Sequence, residues 1–307
     1  MLTFFGEPLS AHFQASRTRR IELSAPDEQI ESAEIAIQTS GNERDRVFID
    51  DRAVLDMARA AHEALPEIPL KGCDLLRDER TGKLYVIELN AGGNTWHFSS
   101  MFFAEARRKD PEFTVKRRRQ FDAMRTAPRV LVARPTPRRS SSGGVPCQAV
   151  PSSRSVPAAA RPITAPAAWS DASIRRHLVL GYRPGWQSLA DLNEIAGHVS
   201  DLDPAIRTFI VPTTMPNSVS RKQAARLPTL VVSPGEMRGF SPLRGKVYHG
   251  WPMPKVEEVR RLTIAGLPVP RTAVLTPDLR LDPADWGDFV ILKPTDLATA
   301  SFGRALR

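Results

Sequence analysis

A chain of 307 residues, 41% hydrophobic and 25% charged, has room for two ordinary domains or for one core interrupted by sequence that does not pack; it is neither fibrous nor wholly disordered in composition. Its 27 prolines are about twice the usual share and are unevenly placed, which points to an unpacked stretch. The net charge of +9 would invite a nucleic-acid reading, but twelve basic residues against three acidic ones between Arg107 and Arg139 account for all of it, and the rest of the chain is neutral.

The first 125 residues alternate strand-like and helix-like patterns. An apolar run at residues 2–5 is followed by a turn at Gly6-Glu7-Pro8. Asp50 or Asp51 can cap a helix in which Val54, Leu55, Ala58, Ala61 and Leu65 recur at helical spacing before Pro66. Two strands follow, residues 68–76 and 84–89, joined by a polar stretch with Thr81-Gly82 as turn residues. Residues 126–173 are rich in Pro, Ser, Ala and Arg, and this composition predicts a disordered linker, because it offers too little apolar area to offset the entropy of ordering. Order returns with a compact apolar strand at residues 177–182, a helix near 188–199, and strands near 207–211 and 229–232, a succession that predicts a small parallel sheet. A helix over residues 255–265 stops at Gly266-Leu267-Pro268-Val269-Pro270, and residues 272–275 and 289–292 read as further strands.

The cysteines, Cys73 and Cys147, show neither metal-knuckle spacing nor a disulfide framework, as expected for a reducing compartment. No run of about 18 apolar residues and no leader-like start is evident, so the expectation is a cytoplasmic protein without a membrane partner.

The candidate chemistry lies on the hairpin. Positions 74 and 88 are symmetric about residue 81, so in a regular ladder Asp74 and Glu88 face each other, with Cβ atoms about 4.5–5.5 Å apart. Asn90, two residues beyond Glu88, shares their face. Two opposed carboxylates repel, and Glu88 interrupts an otherwise apolar run, so a positive group must sit between them: Mg²⁺, or a neighbouring Lys or Arg. Ala91-Gly92-Gly93-Asn94 permits close backbone approach to a ligand or is simply a turn. Lys293 ends the apolar run at residues 289–292 just before Pro294, where it can reach a phosphate or only snorkel to solvent. His97, between Trp96 and Phe98, can touch substrate, with a packed histidine the favoured reading.

Together, Gly72-Cys73-Asp74-Leu75-Leu76 and Gly82-Lys83-Leu84-Tyr85-Val86-Ile87-Glu88-Leu89-Asn90 resemble the C-terminal metal-binding signature of the ATP-grasp family, in which an Asp, a Glu and an Asn hold Mg²⁺ against a triphosphate. Residues 175–307 resemble the other end of that family: a small Rossmann-like domain, a helix that starts with a lysine, and the strand leading to Lys293-Pro294. The resemblance implies an α/β (α+β) protein with an ATP-grasp-like C-terminal lobe at 1–125, a disordered linker at 126–173, a Rossmann-like domain at 174–250 and the start of an N-terminal lobe at 251–307. It also implies ATP and Mg²⁺ as cofactors, Asp74, Glu88 and Asn90 as metal ligands, and Lys293 and Lys255 as nucleotide contacts. The implied activity is that of an ATP-dependent carboxylate-amine ligase working through an acyl phosphate, with a small carboxylate and an amine as substrates. The family's pieces stand here in reversed order; residues 295–303 are a poor counterpart of its glycine-rich flap, and the adenine hinge has none. One alternative is therefore a catalytically incomplete fusion or remnant, which pairs with a complementary ATP-grasp polypeptide or a second copy of itself. Another is nonspecific nucleic-acid binding through residues 107–139, weighed against the favoured reading of a solvated helix face.

Overall fold

The computed structural model describes residues 1–16, 44–91, 104–134, 173–214, 226–237, 242–251, 253–286, 290–292 and 304–306, with isolated positions at 26, 28, 223, 224 and 240. Within them the fold is mixed α/β, with one antiparallel and one parallel four-stranded sheet.

The first sheet begins with β1 (Leu2–Phe4) and β2 (Glu7–Ser10), joined by a turn in which Phe5 and Gly6 both take positive φ, +51° and +87°. Such a turn matches the twist of a two-residue hairpin, and Gly6 adopts it without steric cost. A separate ribbon pairs β3 (His12–Ser16) with β4 (Arg44–Phe48). Helix α1 (Arg52–Ala64) starts where the sequence predicts: Asp51 accepts hydrogen bonds from the amides of Ala53 at 2.9 Å and Val54 at 3.3 Å. Its apolar face, Val54, Leu55, Ala58 and Ala61, is buried.

The predicted hairpin is β5 (Leu70–Arg77) and β6 (Leu84–Ala91), and it completes a sheet of order β2-β1-β5-β6. At its turn Asp78 accepts from the amides of Arg80 and Thr81, and Gly82 takes a φ of +70°. Three helices follow: α2 (Ala104–Lys109), α3 (Phe113–Arg119) and α4 (Ala123–Ala133). Helix α4 extends into the stretch whose composition reads as linker. It buries Ala123, Met124, Ala127, Pro128 and Leu131, a spacing of three and four residues that outweighs the helix-weakening Pro128. The remainder of that stretch, residues 135–172, lies outside the described residues.

The second half forms the predicted parallel sheet from β7 (Arg176–Tyr182), β8 (Ile206–Pro212), β9 (Thr229–Ser233) and β10 (Gly245–His249), in the order β10-β9-β7-β8. Helix α5 (Leu189–Leu202) connects β7 to β8. Both faces of this sheet are covered: Leu178, Leu180 and Val232 point into one cluster, Val179, Val211 and Val231 into another. Helix α6 (Lys255–Ile264) follows, then the short α7 (Pro283–Trp286) and a small antiparallel pair, β11 (Val290–Leu292) with β12 (Arg304–Leu306). Residues 272–275, read from sequence as a strand, are exposed and belong to no strand. Just upstream of them the Val86 amide of β6 donates to the Pro268 carbonyl at 2.9 Å.

The two halves share their cores. One cluster joins Leu2, Phe4, Phe5, Leu9, Leu70 and Leu131 to Leu178, Leu180, Ile195, Leu230 and Tyr248, with Phe5 edge-on to Tyr248 at 4.9 Å. A second joins Ala58, Ala61, Leu65, Ile68 and Val86 to Met253 and Leu262 of the other half. Among the described residues, no helix is long and apolar enough to cross a membrane.

Candidate metal and phosphate site

Asp74 and Glu88 are partners in the β5–β6 register, as their symmetric spacing predicts. The ladder is not regular throughout. Between Asp74 and Leu75 the register slips, so that Leu75 pairs with Val86 and Ile87 is left as the extra residue of a bulge. Bulges bend a strand and re-aim side chains, and this one adjoins the acidic pair. Asn90 shares the face, and its side-chain amide donates to Asp74 Oδ2 at 3.0 Å.

The positive group is supplied by the chain itself. Lys255, the first residue of α6, donates from Nζ to Glu88 Oε1 at 2.8 Å and to Glu258 Oε2 at 3.3 Å. These side chains are largely withdrawn from water: Glu88 is 17% exposed, Lys255 23% and Glu258 4%. Glu258 was not singled out by sequence reasoning. It anchors the helix by accepting the Leu89 amide at 2.8 Å with its other oxygen, and the Lys255-x-x-Glu258 spacing was the available signal. Burial raises the Glu258 carboxyl above its ordinary range, opposed by Lys255. Asp74 retains an open edge to solvent, yet the protein packed around its carboxylate, together with Glu88, raises it too, against the N-terminal ammonium, Asn90 and Lys255.

Oxygen donors of this kind, two carboxylates and an amide carbonyl, suit a hard divalent cation. Among the described residues, no group of three or more His, Cys, Asp or Glu side chains could hold a metal ion, so phosphate or water oxygens would have to complete the shell around Asp74, Glu88 and Asn90. Lys293, the Gly92-Gly93 turn and His97 lie outside the described residues. The apolar cavity lined by Phe4, Leu70, Leu180, Leu192, Ile195 and Val232 contains none of the carboxylates and is a gap in the shared core.

The basic segment is partly consumed by the fold. Arg117 is buried, its Nε donating to Ser10 Oγ at 3.2 Å; burial, then the charge of Arg46, holds its guanidinium down to about 10. Arg118 reaches Asp191 at 2.7 Å and Glu194 at 2.8 Å on α5, Lys116 pairs with Asp110, and Arg134 lies 4.1 Å over the Phe5 ring. Several of these side chains therefore join elements instead of forming a solvated face.

A second buried cluster stands behind β5. Lys71, 1% exposed, donates from Nζ to His62 Nδ1 at 2.6 Å and to the His62 carbonyl at 3.3 Å. Burial brings its ammonium down to about 7, and burial, with the charges of Lys71 and Arg134, brings His62 down to about 3. Beside them Glu67 forms a bidentate pair with Arg261 of α6. Comparison of the chain with protein-family models, with curated proteins and with solved structures finds no match.

Proposed function

We propose that the chain binds Mg²⁺ and the phosphates of ATP, in the manner of the ATP-grasp family its hairpin resembles, and that it derives from a carboxylate-amine ligase. The supporting observation is convergence: Lys255, 167 residues from Glu88 in sequence, meets it at 2.8 Å on the face that also carries Asp74 and Asn90. Asp74, Glu88 and Asn90 would hold the cation through oxygen; Lys255, with Lys293 by the resemblance, would neutralise phosphate charge. A bound Mg²⁺ offsets the negative charge of the phosphates and orients them. In the ligase chemistry the terminal phosphoryl group passes to a substrate carboxylate, and an amine then displaces phosphate. The chain's contribution to it would be positioning and electrostatic stabilisation.

A second reading, an incomplete remnant needing a complementary ATP-grasp polypeptide or a second copy, is favoured by one specific feature. Glu88 already has a cation in Lys255, so the acidic pair is compensated without metal. Equilibrium dialysis with labelled ATP, with and without Mg²⁺, separates the two. Micromolar retention that requires Mg²⁺ supports the binding reading. Retention no better than that of a Glu88→Gln, Asp74→Asn double variant supports the remnant.

A further inference from the structure

Lys255 occupies an awkward position for a structural counter-ion. It is the first residue of a ten-residue helix, where the exposed amides already carry partial positive charge, and Pro254 before it supplies no side-chain cap. An ammonium is disfavoured there unless acids hold it, and two do: Glu88 on β6 and Glu258 one turn further along its own helix. The strong anchors of this helix lie elsewhere. Glu258 takes the Leu89 amide, Arg261 grips Glu67, and Leu262 packs into the core beside Val86 and Leu65, so the helix stays docked if Lys255 lets go. The lysine is thus the part of the contact that can move without loosening the interface.

We infer that Lys255 is a resident counter-ion, seated on Glu88 in the unloaded protein and displaced from it when a divalent cation binds Asp74 and Glu88, so that the same side chain is released toward the phosphates that accompany the cation. This rests on the metal-binding reading above and adds to it an internal competitor. A divalent cation and an ammonium held by the same carboxylate are like charges a few ångströms apart, so metal on Glu88 weakens the Lys255 contact at Oε1, and metal loading carries the free-energy cost of loosening it. Once it has left Glu88, Lys255 keeps Glu258 beside it and Asp74 within electrostatic reach, and the phosphates that accompany the cation offer it a further charged acceptor.

The test is a manganese titration of the intact chain, with free Mn²⁺ read by electron paramagnetic resonance, for the wild type, Lys255→Met and Lys255→Arg. Folding of each is checked by far-ultraviolet circular dichroism, with Lys255→Gln as the substitute should the methionine variant not fold. The expectation is binding about tenfold tighter in Lys255→Met than in the wild type, with Lys255→Arg close to the wild type because it keeps the competing charge. Equal or weaker binding by Lys255→Met, with Glu88→Gln still abolishing it, overturns the displacement while leaving the metal site standing. Absence of Mn²⁺ binding from every variant overturns both.

Discussion

The side chains that set the chemistry of this molecule are those whose charge is out of place. Lys71 and His62 are the clearest pair, both buried and both held toward their neutral forms. For Lys71 the unfolded chain keeps the ordinary value of 10.5 while the folded value is about 7, so between these limits the unfolded state binds more protons and stability rises with pH. Replacing Lys71 by Met is expected to flatten that slope in urea titrations across the window. It should also raise stability at pH 7 by about 1–3 kcal/mol, less than the full shift because His62 loses its donor. His62 works in the same sense at lower pH: its contribution is complete above 6.5 and is lost as pH falls toward about 3. Acid unfolding midpoints should therefore move to lower pH in His62→Leu if that variant packs. Cys73, 1% exposed, has its thiol pushed up to about 12 by burial, and in a Cys147→Ser background it should react with Ellman's reagent only after denaturant is added. Rapid labelling in the native state would contradict the packing of β5.

At the scale of elements, the local rules carry far. Asp51 before an i, i+3, i+4 apolar series gives α1 and its cap, and Asp51→Ala is expected to cost about 1 kcal/mol in thermal or urea unfolding. The facing of Asp74 and Glu88 was legible in the symmetric count about residue 81, although the ladder beside the turn runs one residue off that count and it is the extra residue Ile87 that brings the two carboxylates opposite. The bulge at Ile87 was not legible, since the symmetric count that holds from Lys71 to Asp74 fails by one nearer the turn. Helix α4 was hidden by composition: prolines and arginines suggested a linker, while the packing of Met124, Ala127 and Leu131 under α5 depends on partners about 70 residues away. The partner of Glu88 was hidden for the same reason. A charge requirement can be read locally, but whether a metal or a lysine meets it depends on a helix brought in from the other half of the chain. Arg118 shows the reverse case, a residue of an apparently solvated basic run that ties α3 to the buried Asp191 of α5; Arg118→Ala should lower stability by about 1–2 kcal/mol, where substitution of the exposed Arg108 should change it little.

At the scale of the whole molecule, the N-terminal and C-terminal halves of the chain fold against each other. Phe5 on Tyr248, Leu65 beside Leu262 and Glu67 on Arg261 make the contact hydrophobic at its centre and ionic at its margin. A shared core of this kind predicts one cooperative thermal transition, coincident by circular dichroism and by tryptophan fluorescence. Two separated transitions would mean that the halves are independent. The same packing brings an acidic hairpin and a lysine helix to one place, and the functional reading depends on that meeting.

A crystal soaked with Mn²⁺ and a non-hydrolysable ATP analogue, measured at the manganese absorption edge, tests this most directly. The account predicts an anomalous peak between the Asp74 and Glu88 carboxylates, roughly 2.0–2.2 Å from each, with the Lys255 ammonium withdrawn from Glu88. Absence of that peak, with Lys255 still bonded to Glu88 beside a bound or absent nucleotide, would contradict it.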